Sequence, residues 1–298
     1  MKQSLPLWAA AAALACACTV AQGGELEKIR ASGEIVLAHR DASIPFSYLD
    51  ADKQPVGYSM DLCQKIVEAV RRELKLPQLA VRYLPVTSAS RIPAIAEGKA
   101  SLECGSTTNN AERRKRVDYT IAHFISAARL LVRSGSGVER LEDLAGKTAV
   151  STRGTTNIKL LQGANDERLL KMKILEAADH AEAFAMVGTG KADAFAMDDV
   201  LLFGLRANAP KPQDFQVVGK PMSIEPYAIM LPKGDAAFKK VVDAEMRRII
   251  FSGEIHPIYQ RWFTQPIPPR GINLELPMSY MLKESFRFPS DKVGDLGG

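Results

Sequence analysis

The feature that most constrains this chain is an alternation of apolar strand-like runs with amphipathic helical runs, which proceeds to about residue 133 and then starts again. Strand-like segments at 34–38, 79–86 and 101–105 surround a helical one at 61–74, in which Leu62, Ile66, Val67, Val70 and Leu74 recur at helical spacing. The second series runs as strand 147–152, helix 155–162, strand 172–176, helix 181–187, strand 192–197, helix 200–206 and strand 215–218. Strands separated by helices belong to open α/β sheets, so two series predict two α/β lobes.

A short echo ties the series together. Gly98-Lys99-Ala100 and Gly190-Lys191-Ala192 each follow a helical run and precede a short strand. Ser88 and His180 lie ten residues before the respective glycines, while Ser106 and Asp198 lie eight residues after them. If the lobes share a fold, these pairs occupy matching places. Ser134-Gly135-Ser136-Gly137 is small and flexible, and it reads as the crossing between lobes, with a return around residues 227–231. Residues 236–251 then form a long amphipathic helix expected to pack back on the first lobe, and 255–263 another, ended by Pro266, Pro268 and Pro269. The tail from Arg270 has little periodicity and is expected to wrap the surface or fray. The resulting division is a leader at 1–23, a first lobe at 25–132 and 228–298, and a second lobe at 133–227.

The leader is read from Met1-Lys2, an apolar run reaching Cys18, and the small and polar residues Thr19 to Gly24, which together form a secretory signal pattern. The apolar run is too short to span a bilayer comfortably, so an exported, soluble protein is expected. Cys16 and Cys18 lack a good lipobox, which argues against a lipid anchor. Cys63 and Cys104 then remain in an oxidising compartment, where either a disulfide or two buried thiols is open, since spacing does not fix geometry. Removing the leader, whose one charged residue is Lys2, takes the formal charge from +5 to +4. Such a mild excess does not imply nucleic acid but suits a small anionic ligand. The basic run Arg113-Arg114-Lys115-Arg116 reads as a solvated helix face.

Ligands of open α/β sheets gather beyond the carboxyl ends of the strands, where this chain places its informative polar residues. Arg40 ends the first strand and either offers a planar fork to a carboxylate or sits on the surface. Arg91 opens a helix, where it either joins free backbone donors in holding an anion or is simply solvated. Ser106 and Thr108 in one loop, and Thr156 in another, either cap helices or hold an anion. His180 is a donor to an anion or a neighbour of a helix start, and Asp198 is the one well-placed acid for an ammonium group. Two arginines, a histidine, hydroxyls and an acid suit a zwitterion with one extra negative charge, as in the acidic amino acids. The four histidines are dispersed, and neither metal-ligand spacing, a nucleophile elbow nor a nucleotide-binding glycine loop appears. No catalytic residue, metal or cofactor is therefore expected.

Those residues, together with Pro45-Phe46-Ser47-Tyr48, Gly57-Tyr58-Ser59, Arg91-Ile92-Pro93, Glu103-Cys104-Gly105-Ser106-Thr107-Thr108-Asn109-Asn110 and Pro266-Ile267-Pro268-Pro269, resemble periplasmic solute-binding proteins of polar amino-acid ABC importers. The similarity covers nearly the whole mature chain and is nearest the glutamate/aspartate branch. It implies a type II bilobal binding-protein fold with two hinge strands, a monomer, and delivery of glutamate or aspartate to an inner-membrane permease. It further implies that Arg40, Ser88 and His180 hold the ligand's side-chain carboxylate. Arg91, Ser106, Thr108 and Thr156 would take the α-carboxylate region, and Asp198 the ammonium. Arg153 stands where a smaller residue would intrude less, so ligand preference is expected to shift. A receptor for glutamine or another polar amino acid, a dehydratase-like enzyme on the same scaffold, and a sensor module are the alternatives.

Overall fold

A computed structural model describes residues 23–292, so the expected leader up to residue 22, with Cys16 and Cys18, and the last six residues of the first-lobe range lie outside the described residues. Helix α1 (Glu25–Ser32) leads into β1 (Glu34–His39), and a small antiparallel sheet follows, made of β2 (Ala42–Ser43), β3 (Ser47–Leu49) and β4 (Pro55–Val56). Next come α2 (Tyr58–Glu73), β5 (Ala80–Pro85), α3 (Arg91–Ala96), β6 (Leu102–Glu103), α4 (Ala111–Arg114), β7 (Val117–Tyr119), β8 (Phe124–Ser126) and β9 (Ala128–Arg133). The second series is β10 (Thr148–Thr152), α5 (Thr156–Glu167), β11 (Lys173–Ala177), α6 (His180–Gly188), β12 (Ala194–Asp198), α7 (Asp199–Ala207) and β13 (Phe215–Val218). The chain closes with β14 (Glu225–Tyr227), β15 (Met230–Pro232), α8 (Ala236–Phe251), α9 (Ile255–Phe263) and α10 (Tyr280–Arg287).

Two open five-stranded sheets carry this series, in the orders β5-β1-β6-β15-β7 and β11-β10-β12-β9-β13. Position for position they match: β1 with β10, β5 with β11 and β6 with β12, each trio parallel, and then an antiparallel strand that arrives from elsewhere in the chain. In the first sheet that strand is β15, which follows the return crossing; in the second it is β9, which follows the outward one. The crossing itself is the antiparallel pair β8–β14, with Phe124 opposite Tyr227. This corrects the expected boundary: β9 belongs to the second sheet, and Ser134-Gly135-Ser136-Gly137 is a loop after it rather than the passage between sheets. The sequence signal for a flexible turn was real, but which sheet a strand joins is decided by non-local pairing.

The crossing is fixed by aromatic packing. Phe46 packs edge-to-face with Phe124 and Tyr227 at ring-centroid distances of 5.0 and 5.1 Å, and Phe124 stacks on Phe263 at 5.1 Å. Such pairs add about 0.5–1.5 kcal/mol beyond the area they bury. Helix α8 forms where its apolar spacing predicts: the Asp235 carboxylate accepts the Phe238 N–H at 2.9 Å, and Phe238, Val242, Met246 and Ile249 turn inward while the helix packs on α2 of the first sheet's lobe. A disulfide joins Cys63 of α2 to Cys104 after β6. The tail contains a helix that the sequence reading did not anticipate. Ser279 caps α10, and Leu282 and Phe286, four apart, are its buried side chains while Tyr280 stays 78% exposed. Two inward positions in eight residues give too little periodicity to announce a helix. No helix among the described residues is long and apolar enough to cross a membrane.

Candidate functional site

The carboxyl ends of β1, β6, β10 and β12 bring the expected residues to one buried region. Arg40 follows β1, where the alternating burial of that strand has become complete, and is 2% exposed. Its backbone N–H donates to Ser47 Oγ at 2.9 Å. Arg91 is the first residue of α3 and is 3% exposed, with Nη1 donating to the Ser106 carbonyl at 3.2 Å. Among the described residues, Arg40 Nη1, Arg91 Nε, Ser88 Oγ and Ser106 Oγ are buried without a hydrogen-bond partner. Each such atom costs about 1–3 kcal/mol when left unmet.

Burial lowers the Arg40 pKa, against the charges of Glu103 and Asp179, and takes Arg91 down to about 9 with help from the neighbouring Arg113 charge. Glu103, fully buried on β6, faces both arginines; its Oε2 accepts from Thr107 at 2.7 Å while Oε1 has no partner. The first half thus presents strong donors, only partly offset by one carboxylate.

The second half faces it. His180 opens α6, its Nδ1 is 2.8 Å from Thr152 Oγ1, and its pKa lies well below the usual histidine range, because of burial first and then the charges of Arg40 and Arg91. The charges of Arg40 and Arg91 thus act on His180 across the two sheets. Asp198 ends β12 at 2% exposure. Asn157 Nδ2 donates to its Oδ1 at 2.8 Å and the Tyr227 hydroxyl donates to its Oδ2. Burial raises its pKa, and the charge of Glu225 raises it further, against those two hydrogen bonds.

Four residues differ from the sequence expectation: Thr108, Thr156, Arg113 and Arg153. Thr108 and Thr156 lie at the region, but their hydroxyls donate to Glu225 Oε2 at 2.6 and 2.9 Å, so those protons are not offered to a ligand carboxylate. Glu225 itself went unread, since its partners lie 117 and 69 residues away and nothing local distinguishes Glu225-Pro226-Tyr227. Arg113, expected on a solvated face, is 8% exposed: one helical turn points it inward, where Nη1 donates to the Thr108 carbonyl at 2.9 Å and Nη2 to the Gly154 carbonyl at 3.4 Å. Arg153 turns the other way, pairing with Glu176 at 2.9 Å on the surface, so it does not intrude on the site.

The two halves meet closely. Gly154 has φ +80° and lies against the backbone of Ser88 and Ala89, where a Cβ would fall 2.6 Å from Ala89 Cα. A side chain at 154 would push the halves apart. Lys159 and Glu112 pair across the same seam at 2.8 Å, both largely exposed. The arrangement is a donor-rich wall and an acceptor-rich wall, sealed from water and bridged by contacts that depend on the halves staying together. It can bind and enclose a small zwitterionic anion.

Known proteins share both sequence and fold. The sequence pattern of the bacterial extracellular solute-binding proteins, family 3, matches residues 35–265. An L-glutamate/L-aspartate-binding protein of Pseudomonas aeruginosa is 50% identical over 273 residues, covering 91% of this chain and 90% of that protein. A glutamate/aspartate import solute-binding protein of Escherichia coli K12 is 42% identical, covering 92% and 90%. Among solved structures, an ancestral arginine-binding protein bound to arginine superposes with a TM-score of 0.70 at 24% identity, covering 78% of this chain and 98% of that one. That last likeness shows a shared two-lobed fold.

Proposed function

The chain belongs to the bacterial extracellular solute-binding proteins of family 3, and from that premise we propose that it is the periplasmic receptor of an ABC importer, capturing L-glutamate and L-aspartate between its lobes and presenting them to an inner-membrane permease. Its role is non-enzymatic. The observation that carries the ligand class is the set of unpartnered buried donors at Arg40, Arg91, Ser88 and Ser106, set against a wall whose carboxylates are Asp198 and Glu225. Two carboxylates and one ammonium complete that pattern, and the ligands in the relatives' names agree with it.

In this reading Arg40, Ser88 and His180 hold the side-chain carboxylate, Arg91 and Ser106 the α-carboxylate, and Asp198 the ammonium. Thr108 and Thr156 stand at the ammonium end, which modifies the expectation that they serve the α-carboxylate. The lobes divide at β8 and β14, the hinge strands, rather than at residue 133. A leader at 1–23 exports the chain, which works as a monomer.

A thermal-shift panel of amino acids on ligand-stripped protein tests the proposal. A ligand confined to the folded state adds about 2.7 kcal/mol of stability at a hundredfold excess over its Kd. Glutamate and aspartate should each raise the melting temperature. Stabilisation by glutamine and by neither acid would overturn the assignment.

A further inference from the structure

Glu225 lies on β14, one of the two strands passing between the sheets, and is 4% exposed. Its Oε2 takes a hydroxyl proton from each half: Thr108 at 2.6 Å, from the loop after β6, and Thr156 at 2.9 Å, from the first turn of α5. Ser223 donates to Oε1 at 2.7 Å. Among the described residues no Lys, Arg or His forms an ion pair with it, so three neutral hydroxyls surround a buried carboxylate.

A hydroxyl has one proton and two acceptor lone pairs, while an ionised carboxylate only accepts. Once their protons point at Glu225, Thr108 and Thr156 can meet a ligand only through lone pairs. The residue after Thr156 extends the pattern, because Asn157 directs one N–H, and Tyr227 its hydroxyl, at Asp198. The Thr108 and Thr156 hydroxyls and the two carboxylates at this end are therefore turned to accept, and a group that brings its own protons and a positive charge is the complement. On the acidic amino-acid reading above, we infer that Glu225 is a specificity-determining residue: it fixes the hydrogen-bond sense of Thr108 and Thr156, so that this end of the cleft selects an ammonium and rejects a ligand that lacks one.

A plain structural latch would look similar in the absence of ligand, since Glu225 also ties the two halves together. The two roles separate on a pair of ligands. L-Glutamate and 2-oxoglutarate share both carboxylates, and a ketone oxygen, which only accepts, replaces the ammonium. Calorimetry on the unsubstituted protein and on Glu225→Gln reads both affinities. Glutamine keeps the shape but brings an amide that donates, which releases the threonine protons. The ratio of the 2-oxoglutarate to the glutamate Kd should shrink by about tenfold or more, the scale of one hydrogen bond to a charged group. A latch would weaken both ligands alike, and an unchanged ratio overturns the inference.

Should Glu225→Gln fail to fold by thermal melting, Thr156→Val and Thr156→Ser decide instead. Valine removes the acceptor and should weaken glutamate alone by about tenfold, and serine should restore it. Equal weakening of both ligands by valine overturns the inference. Absence of glutamate binding in the unsubstituted protein would overturn the acidic amino-acid reading as well, whereas normal binding with an unchanged ratio overturns this inference only.

Discussion

The first sheet and the second share a strand order, and the residues after their corresponding strands face one another across the crossing, yet their chemistry is opposite. After β1 and β6 the first half places Arg40 and Ser106, with Arg91 at the start of α3. The second places Thr156 after β10 and Asp198 at the end of β12, with His180 at the start of α6. Ser106 and Asp198 stand at matching positions, as do Ser88 and His180. A repeated scaffold brings two equivalent strand ends to one buried region, and the side chains at those ends differ in charge. Architecture is repeated here, and on the proposed function recognition comes from where the repeats differ.

The strongest way to break that contrast is to neutralise one wall at a time. Removing one member of a buried charge pair costs about 3–5 kcal/mol, because its counter-charge is left unmatched. Arg40→Ala and Asp198→Asn should therefore each lower glutamate affinity by a factor of several hundred or more in calorimetry. Wild-type affinity in Arg40→Ala would take the donor wall away from the ligand's carboxylate, and wild-type affinity in Asp198→Asn would do the same for the ammonium.

How much of this polarity was legible in the sequence depends on how local its causes are. The Gly-Lys-Ala echo marked β6 and β12, each preceded by a glycine of positive φ, Gly98 at +68° and Gly190 at +77°. Helix α8 matched its expected bounds because a capping aspartate and an apolar stripe lie within its own residues. Arg113 was misread for the converse reason: four basic residues in a row look solvated, and only the fold shows that one of them reaches the Gly154 carbonyl in the other half. Glu225 had no local signature, since its meaning lies in hydroxyls from distant loops. The crossing was misplaced by about ten residues because a Gly/Ser turn signals flexibility and not which sheet a strand joins.

A second asymmetry concerns stability. The Cys63–Cys104 disulfide closes a separation of 41 residues entirely within the first half. In the chain-entropy picture a loop of that length contributes about 2–4 kcal/mol. Double substitution of both cysteines to alanine should lower the melting temperature, and hydrogen exchange should rise first in β1, β5 and β6 while β10, β11 and β12 stay protected. Equal loss of protection in both sheets would mean that the halves unfold as one unit and that the bridge stabilises the whole.

The acceptor wall should also respond to pH in a way that the arginine wall does not. The Asp198 carboxyl is raised to about 7 by burial and by Glu225. A ligand ammonium needs it ionised, so glutamate affinity should fall as pH drops through that value, by up to about tenfold per unit. The folding sign is opposite: a carboxyl raised above its unfolded value makes the ligand-free protein less stable as pH climbs from the unfolded value towards 7. Binding near neutrality should therefore release a proton, read as a dependence of calorimetric heat on the buffer's ionisation enthalpy. Heat independent of buffer would show that Asp198 is already fully ionised before the ligand arrives.

The seam itself offers the smallest effect and the finest comparison, because adjacent residues of α4 bridge the halves in opposite environments. Glu112 meets Lys159 at 2.8 Å with both side chains mostly exposed, while Arg113 reaches two carbonyls from a buried position. An exposed pair contributes about 0–1 kcal/mol and is screened by salt. Glu112→Gln should therefore change glutamate affinity by no more than about fivefold, and the change should fade as salt is raised. Arg113 donates to backbone oxygens that have no charge to screen, so the closure it supports should hold at the same salt. A large, salt-resistant loss in Glu112→Gln would move the latch from the buried arginine to the surface and make the seam, rather than the two walls, the principal support of the closed form.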